Sequence, residues 1–207
     1  MGMQRIGIMG GSFNPIHCGH LNLARAALLA GLVDHVLLLP SGNPPHKRAG
    51  LVDKAHRLNM VSLAVKGEAH MEVCREEVDR EGVIYTVDTL TILQERMPDV
   101  RFYYLIGADT LRTLHTWRRP EEVVRLCALL VAQRPGEDAD DLPRLKAHWR
   151  ALGAEIEMLP AECMDVSSTE IRERIAAGQT LCGLVPEAVE AYIRRHGLYQ
   201  TDKEASL

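Results

Sequence analysis

Short runs of β-branched and aliphatic residues alternate along this chain with helix-length amphipathic segments, and that alternation restricts the fold more than any other feature. Residues 5–9, 35–40, 71–74, 101–106, 127–132 and 155–159 read as strands. Between them, residues 20–29, 53–65, 86–96, 120–126 and 142–151 repeat apolar side chains every three or four positions, as one-sided helices do. Strand and helix in turn predict an α/β fold, a Rossmann-like parallel sheet flanked by helices. After residue 160 the texture changes to two helical segments, 168–177 and 186–195, with Gly178 and Gly197 at their stops and Pro186 at a first helical position. These predict a small C-terminal helical extension. The expected organisation is a single domain over residues 1–200, its helical part at about 161–199, followed by a short polar tail, 201–207, that frays.

Composition narrows the function classes. With 207 residues, 46% hydrophobic and 25% charged, the chain can bury a core, which excludes a disordered or disulfide-stapled scaffold. A net charge of -4 argues against nucleic acid as the partner, so any phosphate must be met locally. No apolar run approaches the length of a bilayer span, and the first eleven residues are too short for a signal peptide, so no membrane role is expected. Five scattered cysteines without a CxxC pair fit reduced thiols, and a cytoplasmic location is expected. Homo-oligomerisation is left open by the sequence.

The stretch Gly10-Gly11-Ser12-Phe13-Asn14-Pro15-Ile16-His17-Cys18-Gly19-His20 follows the first expected strand and opens the first expected helix. In an open parallel sheet, ligands bind beyond the carboxyl ends of the strands, where a following helix offers free N–H groups to an anion. Gly10 and Gly11 let a phosphate approach the backbone, and His17 and His20, three apart, can face one ligand. The stretch supplies neither a GxGxxG dinucleotide fingerprint nor the lysine of a Walker loop. On these residues alone, a zinc site from His17, Cys18 and His20 and a glycine turn with incidental histidines both stay open.

The same stretch matches the HxGH nucleotidyltransferase signature with its upstream GxFxPxH, and over residues 5–199 the chain resembles the bacterial nicotinate-nucleotide adenylyltransferases. Further segments carry the resemblance: Pro44-Pro45-His46-Lys47, Tyr85-Thr86-Val87-Asp88-Thr89-Leu90, Leu105-Ile106-Gly107-Ala108-Asp109, Trp117, Arg134-Pro135-Gly136 and Val166-Ser167-Ser168-Thr169-Glu170-Ile171-Arg172. It implies adenylyl transfer from ATP to nicotinate mononucleotide, giving deamido-NAD and pyrophosphate in NAD biosynthesis, with ATP and the mononucleotide as partners.

Such a reaction needs no enzyme nucleophile, because the acceptor is already a phosphate anion; it needs alignment and charge neutralisation at the α-phosphate. His17 and His20 suit that task, and backbone N–H groups of Gly10, Gly11, Ser12 and Phe13 suit the triphosphate. The resemblance implies that Ser167, Ser168, Thr169 and Arg172 meet the β- and γ-phosphates and that Gly107 and Asp109 lie beside the adenosine. Arg134, at a strand end, can reach the nucleotide. For the acceptor, Asn43, His46 and Lys47 lie in a proline-stiffened loop, Lys47 being suited to a 5'-phosphate. The resemblance brings the region of Thr86 to the nicotinate carboxylate and stacks Trp117 on the pyridine ring. Taken singly, Thr86 and Asp109 also read as helix caps, and Trp149 reads as a packing residue. With no metal ligand set evident, Mg2+ is expected to ride on the ATP phosphates and water. Rival readings are an adenylyltransferase for phosphopantetheine or nicotinamide mononucleotide, and a non-catalytic nucleotide-binding module.

Overall fold

The computed structural model describes residues 3–43, 50–133, 140–160, 164 and 166–200. Six parallel strands form the sheet: β1 (Gln4–Gly11), β2 (His35–Pro40), β3 (Met71–Val73), β4 (Val100–Gly107), β5 (Ala128–Ala132) and β6 (Ile156–Met158). Their spatial order is β3-β2-β1-β4-β5-β6. The chain winds outward from β1 in one direction, then returns to lay β4 on its other side. This reversal opens a crevice at the carboxyl ends of β1 and β4, where the flanking connections depart to opposite faces.

Eight α-helices connect and flank the described strands: α1 (Cys18–Leu29), α2 (Lys54–Val65), α3 (Thr86–Arg96), α4 (Ala108–Thr113), α5 (Pro120–Leu126), α6 (Leu142–Ala151), α7 (Ser168–Ala176) and α8 (Glu187–Arg195). The central strands are apolar on both faces, as a sheet covered on both sides requires. Along β4, Phe102, Tyr104 and Ile106 enter a core with α3, α5 and α6, while Leu105 faces the opposite core beneath α1 and α2. Leu129 and Val131 of β5 alternate with Leu130 and Ala132 in the same sense. Ile171, Val189 and Ile193 bring α7 and α8 into the α1 side, and Trp149 packs in the α3 side.

Two departures from the sequence reading bear on the site. Helix α1 begins at Cys18, with His17 as its N-cap and His20 as its third residue, which makes the two histidines a reciprocal capping pair. Helix α4 was not anticipated, because six residues carry less than two turns of periodicity. Gly107 caps it, so Asp109 lies inside its first turn, and Tyr85 rather than Thr86 is the cap of α3.

Candidate active site

At the crevice lies a cavity of about 460 Å³, walled by the end of β1 and its turn (Met9, Gly10, Gly11, Ser12), the start of α1 (His17, Gly19, His20) and the end of β4 (Leu105, Ile106, Gly107). Asp109 and Thr110 of α4 continue that wall, and Val166 closes the side toward α7. The far side is made by Glu77, Ile84, Thr86, Tyr104 and Trp117.

The two imidazoles stack with ring centroids 3.6 Å apart and planes at 30°. The backbone N–H of His17 donates to Nδ1 of His20 at 3.2 Å, so the proton of a neutral His20 ring resides on Nε2. His17 is buried, and Phe13 sets its ring edge against His20 at 5.0 Å. Phe13 itself has φ 46° and a buried side chain, so only its backbone is in a position to meet a ligand. A left-handed non-glycine residue at this turn costs about 1 to 3 kcal/mol, which the surrounding packing must offset. Gly10 has a steric cause beyond close phosphate approach: a Cβ there would lie 2.0 Å from the Tyr104 hydroxyl oxygen.

Asn14 holds the turn in place. Its Oδ1 accepts from the Val52 N–H at 3.2 Å and the Tyr199 hydroxyl at 2.9 Å, and its Nδ2 donates to the Gly50 carbonyl at 2.9 Å. Arg57, only 1% exposed, braces the same turn from α2. Its guanidinium donates to the carbonyls of Val52 (3.1 Å), Ser12 (2.8 Å) and Gly42 (3.0 Å) and to the Ser41 hydroxyl (3.3 Å). Neither residue was singled out from the sequence. A signal for Arg57 did exist: it occupies the inward stripe of α2 with Met60, Val61 and Ala64, where a cation needs a reason.

Opposite the histidines, the indole of Trp117 meets Tyr104 edge-on at 5.7 Å. The Thr86 hydroxyl faces that of Tyr104, whose acidity is strongly suppressed by burial. Beneath them lies Glu77, 8% exposed, accepting from the Thr89 hydroxyl at 3.1 Å. Burial pushes the Glu77 carboxyl up to about 7, against the opposing pull of the Thr89 hydrogen bond and of Arg80 and Arg57. Nothing in the sequence separated Glu77 from its charged neighbours in residues 75–80. Cys18 is held as a thiol: burial raises its pKa, with Arg25 opposing.

The remaining expected site residues are dispersed. Ser167 caps α7 by accepting from the Glu170 N–H at 3.1 Å, and Ser168 donates its hydroxyl to the Pro15 carbonyl at 2.9 Å. Arg172 donates to the Asn14 carbonyl at 2.8 Å and to the Thr169 hydroxyl at 3.1 Å, and both residues border a neighbouring hollow beside Leu51 and Tyr199. These bonds fasten α7 to the histidine-bearing turn, and three guanidinium N–H groups of Arg172 lie beyond the two used. Asn43 is exposed in the connection that follows β2 and is not among the residues lining the cavity. His46, Lys47 and Arg134 lie outside the described residues. Among the described residues no group of three His, Cys, Asp or Glu side chains is placed to hold a metal ion, the His17, Cys18 and His20 set included.

The cytidylyltransferase-like family model matches residues 8–174, which include the turn, both histidines and α7 as far as Arg174. A protein of Lachnoclostridium phytofermentans named "Probable nicotinate-nucleotide adenylyltransferase" is 41% identical over 199 residues, covering 95% of this chain and 100% of its own length. Proteins of the same name from Synechococcus sp. (strain JA-3-3Ab) and Neisseria meningitidis serogroup B are 43% and 40% identical, over 95% and 96% of this chain and 95% and 100% of their own. The chain belongs to the nicotinate-nucleotide adenylyltransferase family. The family's fold is seen in the Plasmodium falciparum nicotinic acid mononucleotide adenylyltransferase complexed with NaAD, at TM-score 0.77 and 19% identity over 95% of this chain and 97% of that one. The same parasite protein complexed with APC superposes at TM-score 0.75 with equal coverage. At such identity the likeness speaks to architecture, and the six-stranded parallel sheet of this adenylyltransferase family member agrees with it.

Proposed function

We propose that the cavity transfers the adenylyl group of ATP to nicotinate mononucleotide, releasing pyrophosphate and forming deamido-NAD (nicotinate adenine dinucleotide) for NAD biosynthesis. The observation that carries this reading is the stacked pair His17 and His20 at the start of α1, opening onto the crevice between β1 and β4, in a chain about 40% identical end to end to proteins bearing that activity's name.

A phosphate oxygen of the mononucleotide attacks the α-phosphorus of ATP, and the bond from that phosphorus to its β-bridging oxygen breaks. Its electron pair leaves on pyrophosphate. His20, with Nε2 carrying the proton, and His17 donate hydrogen bonds to the α-phosphate and the bridging oxygen as charge builds there. The backbone of Gly10, Gly11, Ser12 and Phe13 and the N-terminal dipole of α1 hold the triphosphate. Gly107 and Asp109 line the adenosine side, Arg134 reaches the nucleotide, and Ser167, Thr169 and Arg172 serve the β- and γ-phosphates. Ser168 has its only hydroxyl proton on Pro15, so its part is to fix the turn rather than to donate to phosphate. At the acceptor end, backbone N–H groups at the start of α3 by Thr86 receive the carboxylate, Trp117 packs on the pyridine ring, and Asn43, His46 and Lys47 take the ribose phosphate.

Mg2+ would enter as part of the ATP substrate rather than on a protein ligand set, neutralising charge on the phosphates. Among the described residues no helix is long and apolar enough to cross a membrane, the longest, α1 and α2, having twelve residues each. Cys18, Cys74, Cys127 and Cys182 are free thiols, which supports a reducing, cytoplasmic setting.

The test is pyrophosphate release from ATP and Mg2+ with nicotinate mononucleotide, nicotinamide mononucleotide or phosphopantetheine supplied separately. Release is expected to be fastest with the nicotinate acceptor. Release with none of the three would return the chain to a nucleotide-binding role.

A further inference from the structure

Glu77 is a buried carboxyl on the acceptor wall that the transfer chemistry does not use. Three other segments, α2, α3 and β4, converge on it. Thr89 of α3 donates its hydroxyl to Oε1 at 3.1 Å, Tyr104 of β4 and Cys74 beyond β3 stand close enough to feel its charge, and Arg80 and Arg57 are the nearby cations. Arg57 spends its donors on Ser12, Ser41, Gly42 and Val52 instead of on Glu77. Thr86 and Trp117, the residues read as receiving the nicotinate ring, line the same cavity as Glu77. Gly42 is pressed so closely to this segment that a Cβ would lie 2.1 Å from the Glu77 carbonyl oxygen, so the approach of the two segments requires glycine there.

We propose that Glu77 sets the preference of the acceptor end for a carboxylate over a carboxamide, its protonated form admitting nicotinate and its ionised form repelling it. The inference rests on the acceptor reading above and deepens it. A neutral carboxyl beside an incoming carboxylate adds no repulsion and offers an O–H donor. An ionised one, only 8% exposed, places a second negative charge beside the incoming carboxylate, while a carboxamide meets no such penalty. The balance falls within the working range of a cell, because burial holds the Glu77 proton to about pH 7 despite both arginines.

The test measures kcat/KM for nicotinate and nicotinamide mononucleotides with the full-length protein at saturating Mg2+ and ATP, from roughly pH 5.5 to 8.5, bracketing the carboxyl's range. Both acceptors carry the same 5'-phosphate, so its titration cancels in the ratio of the two. The acid-over-amide ratio is expected to fall about tenfold as pH rises through 7, the scale of one like-charge repulsion. Glu77→Gln, neutral at every pH and still able to accept from Thr89, should hold the low-pH ratio throughout. Thr89→Val removes a donor that favours the ionised form and should move the fall to higher pH. A flat ratio in the parent protein, or the same fall in Glu77→Gln, would overturn the inference while leaving nicotinate turnover intact. Loss of turnover with both acceptors at every pH would overturn the acceptor reading with it.

Discussion

The two ends of the cavity are built by opposite strategies. The histidine end is one continuous turn, residues 10–20, whose shape is set by a positive φ at Phe13, a capping pair of histidines and the side chain of Asn14. The opposite end is assembled from single residues contributed by separate segments: Ser41 after β2, Glu77 after β3, Thr86 on α3, Tyr104 on β4 and Trp117 before α5. A continuous turn carries its own geometry and can be read wherever it occurs. An assembled wall exists only once the sheet has brought its pieces together. Charge divides the two ends in the same way, with stacked imidazoles at one and, at the other, a carboxyl that burial pushes up to about 7.

If the histidine end performs the transfer and the other end only seats the acceptor, their substitutions separate in kinetics. The largest effect is expected for His20→Ala, with kcat lowered about 100- to 1,000-fold, the usual cost of removing one transition-state donor. Mononucleotide affinity, measured by calorimetry, should change little. An unchanged kcat with a raised KM would erase the distinction by moving His20 to the binding side.

A smaller effect, on stability, is expected at the brace between the ends. Arg57→Met leaves the carbonyls of Ser12, Gly42 and Val52 without their buried donor and should lower unfolding free energy by about 3 kcal/mol in a urea titration. Arg57→Lys should recover only a fraction of that loss, because one ammonium cannot reach acceptors spread around a planar fork. Full recovery with lysine would mean that charge rather than geometry holds the turn.

How much was legible in the sequence follows the same division. The strand and helix alternation located all six strands, since β-branched runs and 3.6-residue periodicity are local signals. The HxGH turn was equally plain, and His17, His20, Gly10, Gly11 and Ser12 do line one cavity with Gly107, Asp109, Thr86 and Trp117. Glu77 was hidden because a glutamate in a charged loop looks the same whether it faces water or a core. Its burial comes from segments distant in sequence, with Gly42 against its backbone and Thr89 on its carboxyl. Arg57 was visible as a misplaced cation on an apolar stripe, yet its partners come from two loops that no periodicity connects. Ser168 and Arg172 show the converse: in a phosphate-like motif, donors of both residues pin the Pro15 and Asn14 carbonyls.

The central claim is that His17 and His20 stabilise a single direct displacement and never carry the adenylyl group. Its most direct test is the configuration of the dinucleotide formed from ATP in which one sulfur replaces a non-bridging oxygen on the α-phosphorus, making that phosphorus a stereocentre. A single in-line attack by the mononucleotide phosphate inverts that centre, and inversion is the expected result. Retention would require two successive displacements through an adenylylated histidine, and would contradict the role assigned to the stacked pair.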